Sequence, residues 1–316
     1  MLKNLRDLCS AMQALWNGRK SLWSCLNGPL YRLRCGSCLD MTSWDLAAIA
    51  AVLLFGVPHG GLDGAVARRI GWPQGTTAWI GFHIGYIALA ALVVWFWWQW
   101  PMLGLAIFLI ISALHFGQSD IASIPASTND RLNNRWLPLV AHGGLVSIAI
   151  PSLQPAAVEP VFALLVGDKG ASMLLQSIGA LFLPWLLSFA GYAVYALKNP
   201  AWRKPLNSLI TQLILVFLLP PLISFALYFC LWHSCNHTLR IWRSIEDDSE
   251  RRCSFIEAAI YSLMAWTAAL VFLLFFQGSL SASIVQLTFI GLAALTVPHM
   301  LLVDLAYNTK QQRLLP

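Results

Sequence analysis

Ala78-Trp79-Ile80-Gly81-Phe82-His83-Ile84-Gly85-Tyr86-Ile87-Ala88-Leu89-Ala90-Ala91-Leu92-Val93-Val94-Trp95-Phe96-Trp97-Trp98 contains no Asp, Glu, Lys or Arg. At about 1.5 Å per residue, a helix of this length crosses the roughly 30 Å hydrocarbon core of a bilayer. The run closes on Trp95-Phe96-Trp97-Trp98-Gln99-Trp100, the pattern of an aromatic belt at a membrane interface. The rest of the chain agrees. Of its 316 residues 58% are hydrophobic and 11% charged, with 15 Trp, 16 Phe and a mean hydropathy of +0.66. Soluble proteins run nearer about 25% charged. The apolar runs are too long and too continuous for the alternating strands of a membrane barrel. The sequence therefore predicts an all-α, polytopic membrane bundle of one domain.

Reading along the chain gives eight spans, with seven or nine as alternatives: Leu46 to Arg68, Ala78 to Trp98, Pro101 to Asp120, Trp136 to Ile150, Ser172 to Leu197, Leu206 to Trp242, Phe255 to Phe276 and Ser283 to Leu305. Residues 153–172, with Glu159, Asp168 and Lys169, read as a loop. Pro220-Pro221 interrupts the sixth span, as a pair that no regular helix continues through. Residues 1–43 read as a basic arm at the membrane surface, 44–305 as the transmembrane catalytic domain and 306–316 as a short tail. The arm has no compact apolar segment after its first charges, which disfavours a targeting peptide. With eight spans, the balance of Lys and Arg places the N-terminus in the cytoplasm. The net charge of +6 fits loops facing an anionic leaflet, and no nucleic-acid signature accompanies it. The seven cysteines are odd in number and unlike a disulfide framework; Cys35 and Cys38 form a C-x-x-C without a second pair.

Inside Leu231-Trp232-His233-Ser234-Cys235-Asn236-His237 two imidazoles stand four residues apart, on one face of a helix. Polar groups at membrane depth are costly and mark functional sites. The zinc-protease motif requires Glu after the first His, and Ser234 stands there instead. Zinc, haem and an ion pathway remain open for the pair taken alone. The other histidines are His59, His83, His115, His142 and His299. Three of them precede carboxylates: His59 with Asp63 at i+4, His115 with Asp120 at i+5, and His299 with Asp304 at i+5. A carboxylate on the far nitrogen of a ligating imidazole fixes its tautomer, so Asp63 and Asp120 are the expected supports for His59 and His115. Glycines recur beside these rings, at Gly60-Gly61, Gly117 and Gly143-Gly144, for close helix packing or for room around a ligand.

Gly56-Val57-Pro58-His59-Gly60-Gly61-Leu62-Asp63, Leu114-His115-Phe116-Gly117-Gln118-Ser119-Asp120, Trp232-His233-Ser234-Cys235-Asn236-His237-Thr238-Leu239-Arg240 and Thr296-Val297-Pro298-His299-Met300 together resemble the Brp/Blh family of bacterial β-carotene 15,15′-dioxygenases. The resemblance covers Trp44 to Leu305. It implies an integral-membrane, non-haem iron(II) enzyme of the bacterial inner membrane that cleaves the central double bond of β-carotene with O2, giving retinal. It implies His59, His115, His233 and His237 as ligands of Fe(2+), with His299 as a fifth ligand, a supporting group or a pocket residue. Carotenoid, O2 and the lipid bilayer are the implied partners, and the oligomeric state is not indicated. A membrane di-iron desaturase or hydroxylase is the competing enzyme reading; a transporter or an assembly factor for retinal proteins is the competing non-enzyme reading.

Overall fold

A computed structural model describes residues 41–122, 124, 135–275 and 279–307, the last three by their backbone alone. The basic arm up to residue 40 and the tail from residue 308 lie outside the described residues. The segments described are α1 (Ser43–Arg69), α2 (Thr76–Gln99), α3 (Pro101–Ile121), α4 (Trp136–Leu153), α5 (Pro155–Lys198), α6 (Arg203–Leu218), α7 (221–244), α8 (Asp248–Phe275) and α9 (Leu280–Asp304). All are helical. Seven of them are long and apolar enough to cross a membrane; α6 is 16 residues long, and α7 falls short because it carries the polar histidine pair.

The outer faces are apolar. Ile80, Ile84, Ile87, Leu92 and Trp95 on α2, and Ile256, Ile260, Leu263, Leu270 and Leu274 on α8, are all exposed. Water would penalise such a surface and lipid does not, because backbone groups are satisfied within each helix. The start of α1 shows how an end is closed. The Thr42 hydroxyl accepts a hydrogen bond from the Asp45 backbone at 3.1 Å, and the Asp45 carboxylate accepts one from the Thr42 backbone at 3.0 Å, a capping box. Between α3 and α4 there is no room for side chains, since a Cβ on Gly117 would strike the Leu139 carbonyl and one on Gly143 the Ala113 carbonyl. These two glycines serve packing.

One expectation needs correction and one alternative is decided. Residues 155–171 are helix and not loop: α5 begins with Pro155 in its first turn and breaks at Gly167, whose φ of +77° suits glycine alone. The charges at Glu159, Asp168 and Lys169 signalled polarity, which an interfacial helix also has. The region from Leu206 to Trp242, counted as one span but open to being a short span followed by a full one, is the latter in form: Pro220-Pro221 ends α6 and opens α7. One consequence concerns charge. Arg68 reaches Glu257 and Ser254 on α8, Arg135 covers Trp202, and Arg240 binds Ser119, so these helix ends share one end of the bundle. Ten of the eleven Lys and Arg among the described residues lie there, and Lys169 lies at the other end.

The helices are locally distorted where the histidines sit. Wider π turns occupy Val52–Gly56 before His59, Leu145–Ala149 after His142, Leu227–Ser234 around His233 and Leu301–Tyr307 after His299. Each adds a residue to its turn and so changes the face on which following side chains emerge.

Candidate metal centre

Four helices deliver five histidines to one chamber. On α1, the π turn and Pro58 lead into a 3-10 segment, Val57–Leu62, that carries His59. The His59 ring donates through Nδ1 to the Gly56 carbonyl, one turn back, where the proline-distorted ladder leaves an acceptor. His115 comes from α3, His233 and His237 from α7, and His299 from α9 after Pro298. His115, His233, His237 and His299 are 1–3% exposed, and His59 is half-buried at the edge of a cavity.

Eight ring pairs define the cluster. From His59 the centroids lie at 5.6 Å to His233, 5.7 Å to His237 and 5.2 Å to His299. From His115 they lie at 4.9 Å to His233, 6.3 Å to His237 and 5.3 Å to His299. His233 and His237 are 6.1 Å apart with planes 15° from parallel, as the i, i+4 spacing requires. His237 and His299 are 5.0 Å apart. All four histidines expected as ligands therefore meet, and His299 stands among them.

The carboxylates are paired differently from the expectation. Asp63 does not bind His59; its Oδ1 accepts from His299 Nδ1 at 2.7 Å and its Oδ2 accepts from the Tyr86 hydroxyl at 2.9 Å. Asp120 does not bind His115; it lies 3.3 Å from His142 Nδ1 and accepts from the Tyr228 hydroxyl at 3.2 Å. His115 Nδ1 instead donates to Asp304 at 2.6 Å. The reason is geometric: a residue four or five positions on lies along its own helix, whereas the imidazole points inward to neighbouring helices. Asp63 and Asp304 are 2% and 9% exposed, so each buried charge has its buried partner.

The remaining nitrogens are informative. His115 Nε2 and His233 Nε2 stand 3.2 Å apart. Since His115 already donates through Nδ1, His233 has to be the donor of that contact, and its own Nδ1 is then a lone pair without a partner. His237 Nε2 and His299 Nε2 are buried and likewise lack partners. Buried polar atoms rarely go unsatisfied, and unpartnered imidazole nitrogens on adjacent rings of one cluster, His237 Nε2 and His299 Nε2, call for a ligand. His237 differs from the others, because its Nδ1 faces an Arg240 donor at 3.1 Å.

One cavity opens on the chamber and a second lies beside it. The first is lined by His59, Asp63, His299, Tyr86, His83 and Tyr261. The other is almost wholly apolar, with Phe116, Phe229, Phe108 and Phe225 in its wall. Leu292 and Thr296 line both. Phe116 packs edge-on against His233 with centroids 4.7 Å apart, and Phe229 stacks on it at 5.9 Å. Sequence reading missed Tyr86, which carries no motif, and it missed the roles of Phe229 and Ser234; the Ser234 hydroxyl lies 3.4 Å from His59 Nδ1. His83 and His142 are outside the cluster, His83 bonded to Tyr261 and His142 facing Asp120.

A family model described as "Beta-carotene 15,15'-dioxygenase" matches residues 50–307. The chain is 32% identical over 274 residues to a protein of an uncultured marine bacterium named "Beta-carotene 15,15'-dioxygenase", covering 85% of this chain and 96% of that one. It is 28% identical over 222 residues to a Halobacterium salinarum protein named "Probable beta-carotene 15,15'-dioxygenase Blh", covering 65% of this chain and 64% of that one. No solved structure gives a significant match.

Proposed function

This chain belongs to the β-carotene 15,15′-dioxygenase family, and on that premise we propose that it is an iron(II) oxygenase cleaving the central double bond of β-carotene with O2 to give two molecules of retinal. The observation that carries the reading is the convergence of five imidazoles from four helices in an otherwise apolar bundle.

The donor set fits a metal ion. With a metal–nitrogen bond of about 2.1 Å and about 1.1 Å from nitrogen to ring centre, two imidazoles on one ion have centroids about 4.5 Å apart at right angles and about 6.4 Å apart when opposed. The eight observed separations run from 4.9 to 6.3 Å. Among the described residues no group of three or more His, Cys, Asp or Glu side chains is placed closely enough to hold a metal ion as it stands. The ring positions and the unpartnered nitrogens outweigh this, because small rotations of imidazoles reorient nitrogens without moving helices. His59, His115, His233 and His237 are the proposed ligands, with His299 in position to be a fifth.

The chain's own groups prepare the chamber. Asp304 and Asp63 hold the proton of His115 and His299 on Nδ1, which leaves each Nε2 lone pair turned inward. The Gly56 carbonyl does the same for His59. An all-imidazole set is neutral, suits iron and leaves the full charge of the ion uncompensated. Iron(II), when bound, supplies the redox chemistry that lets O2 react with a closed-shell polyene. Phe116 and Phe229 keep water from the ring faces and, with the apolar cavity beside them, provide the surface a polyene requires. The membrane is proposed to be a bacterial inner membrane, where helical bundles and carotenoids reside together.

Expression in a bacterium that accumulates β-carotene tests the reading. Loss of orange colour, retinal in the extract and about one iron per chain are expected, with His237→Ala losing both iron and retinal. Persistent colour with folded, iron-loaded protein would sink the activity. Two irons per chain would favour a desaturase or hydroxylase.

A further inference from the structure

We propose that the groove between α1, α2, α8 and α9 is the lateral portal through which a long apolar polyene passes from the bilayer into the histidine chamber, a proposal that rests on the carotenoid-cleavage reading. The groove begins at Trp97 and Trp98, at the end of the bundle opposite the clustered charges, and runs past Leu53, Ala269 and Gly291 to Leu295. It is continuous with the site. Val57, Ala265, Leu292 and Leu295 line both the groove and the cavity that holds His59 and His299. Leu292 lines the apolar cavity beside Phe116 and Phe229 as well, so three spaces meet at one side chain.

The wall chemistry selects the occupant. Gln286 and Thr288 lie in the groove, but Gln286 donates to the Leu164 carbonyl at 2.8 Å and the Thr288 hydroxyl to the Ile284 carbonyl at 2.7 Å. Each thus has a partner within the protein. Apart from the Trp97 indole N–H, which is buried without a partner, the wall is dominated by aliphatic and aromatic carbon, which favours a long apolar chain over a charged headgroup. Trp98 in the groove wall, and Leu270, Val271 and Leu274 beside the groove on α8, are exposed and apolar, which brings lipid to the mouth. Gly291 keeps the passage open. A Cβ built there meets nothing within 4 Å, so a large side chain at this position fills the groove without displacing the fold.

The test uses the full chain in nanodiscs, with β-carotene delivered from liposomes and its association followed by quenching of tryptophan fluorescence. Gly291→Phe is expected to slow association at least tenfold and to lower kcat/KM in proportion. Gly291→Ala, and Gly179→Phe on an exposed, unobstructed position of α5, are expected to stay within twofold. Ala269→Trp plugs the groove from its other wall and repeats the effect if Gly291→Phe does not fold. Unchanged association in a folded plug variant overturns the portal, as does equal slowing by Gly179→Phe. A phospholipid that copurifies with the wild type and is lost from Gly291→Phe, with carotenoid association unaltered, reassigns the groove to an acyl chain and also overturns it. Normal association without retinal would instead defeat the cleavage reading, so the two failures are separable.

Discussion

Asp304 and Asp63 each support a histidine from another part of the chain, and this exchange is the residue-level fact with the most consequences. Removing the carboxylate leaves the imidazole free to change tautomer and rotate, which typically costs about 10- to 100-fold in metal affinity. Asp304→Asn and Asp63→Asn are therefore expected to weaken iron binding by that factor, read by competition with a chelator, with helicity unchanged. Asp120 makes the contrast. It binds Tyr228 and faces His142, outside the five-ring cluster, so Asp120→Asn is expected to lower stability by about 1–3 kcal/mol while one iron per chain is retained. Equal iron loss in all three variants would show that the two networks are not separate. The sequence exposed these aspartates, but it paired each with the nearest histidine along its own helix, and only packing reveals which imidazole points at which carboxylate.

At the scale of the element, the π turns decide where side chains emerge. Leu301–Tyr307 begins two residues after His299 and carries Asp304, which reaches His115 on α3 at 2.6 Å. Deleting Leu301, which is exposed, shortens that turn by a residue and rotates Asp304 by about 100° about the helix axis. The expected result matches Asp304→Asn in iron affinity, with α9 still inserted in the membrane; retained affinity would show that the wide turn is incidental. A π turn leaves no reliable mark in sequence, because it arises from packing and from neighbouring prolines. Pro58 and Pro298 beside two of the histidines were its nearest visible trace. The prolines at 220 and 221 were read as a break, yet whether they bent one helix or separated two depended on where Arg240 and Gln154 find partners: Arg240 at Ser119, Gln154 at the Val216 and Leu219 carbonyls.

For the whole molecule, that separation changes the charge balance from which an orientation is expected. If α6 and α7 each cross, the histidine end carries ten Lys and Arg among the described residues against Lys169 at the far end, and the positive-inside rule then predicts the histidine end in the cytoplasm. That prediction places Met41 on the outer side. In a chain whose native cysteines are replaced by serine, Lys169→Cys is expected to react with a membrane-impermeant thiol reagent in intact cells and Glu246→Cys only after lysis. The opposite labelling pattern would restore the cytoplasmic N-terminal side.

The sequence by itself determined the solvent and the element type, since long charge-free runs can satisfy their backbone in lipid only as helices. It also marked the histidines that the fold brings together, because imidazoles are costly at membrane depth and stand out there. Periodicity places a residue on a face of its own helix and says nothing of the helix opposite. Tertiary structure alone therefore decided the joining of His299 to the four expected rings, the crossed carboxylate pairs, the role of the glycines between α3 and α4, and the groove that leads inward past Gly291.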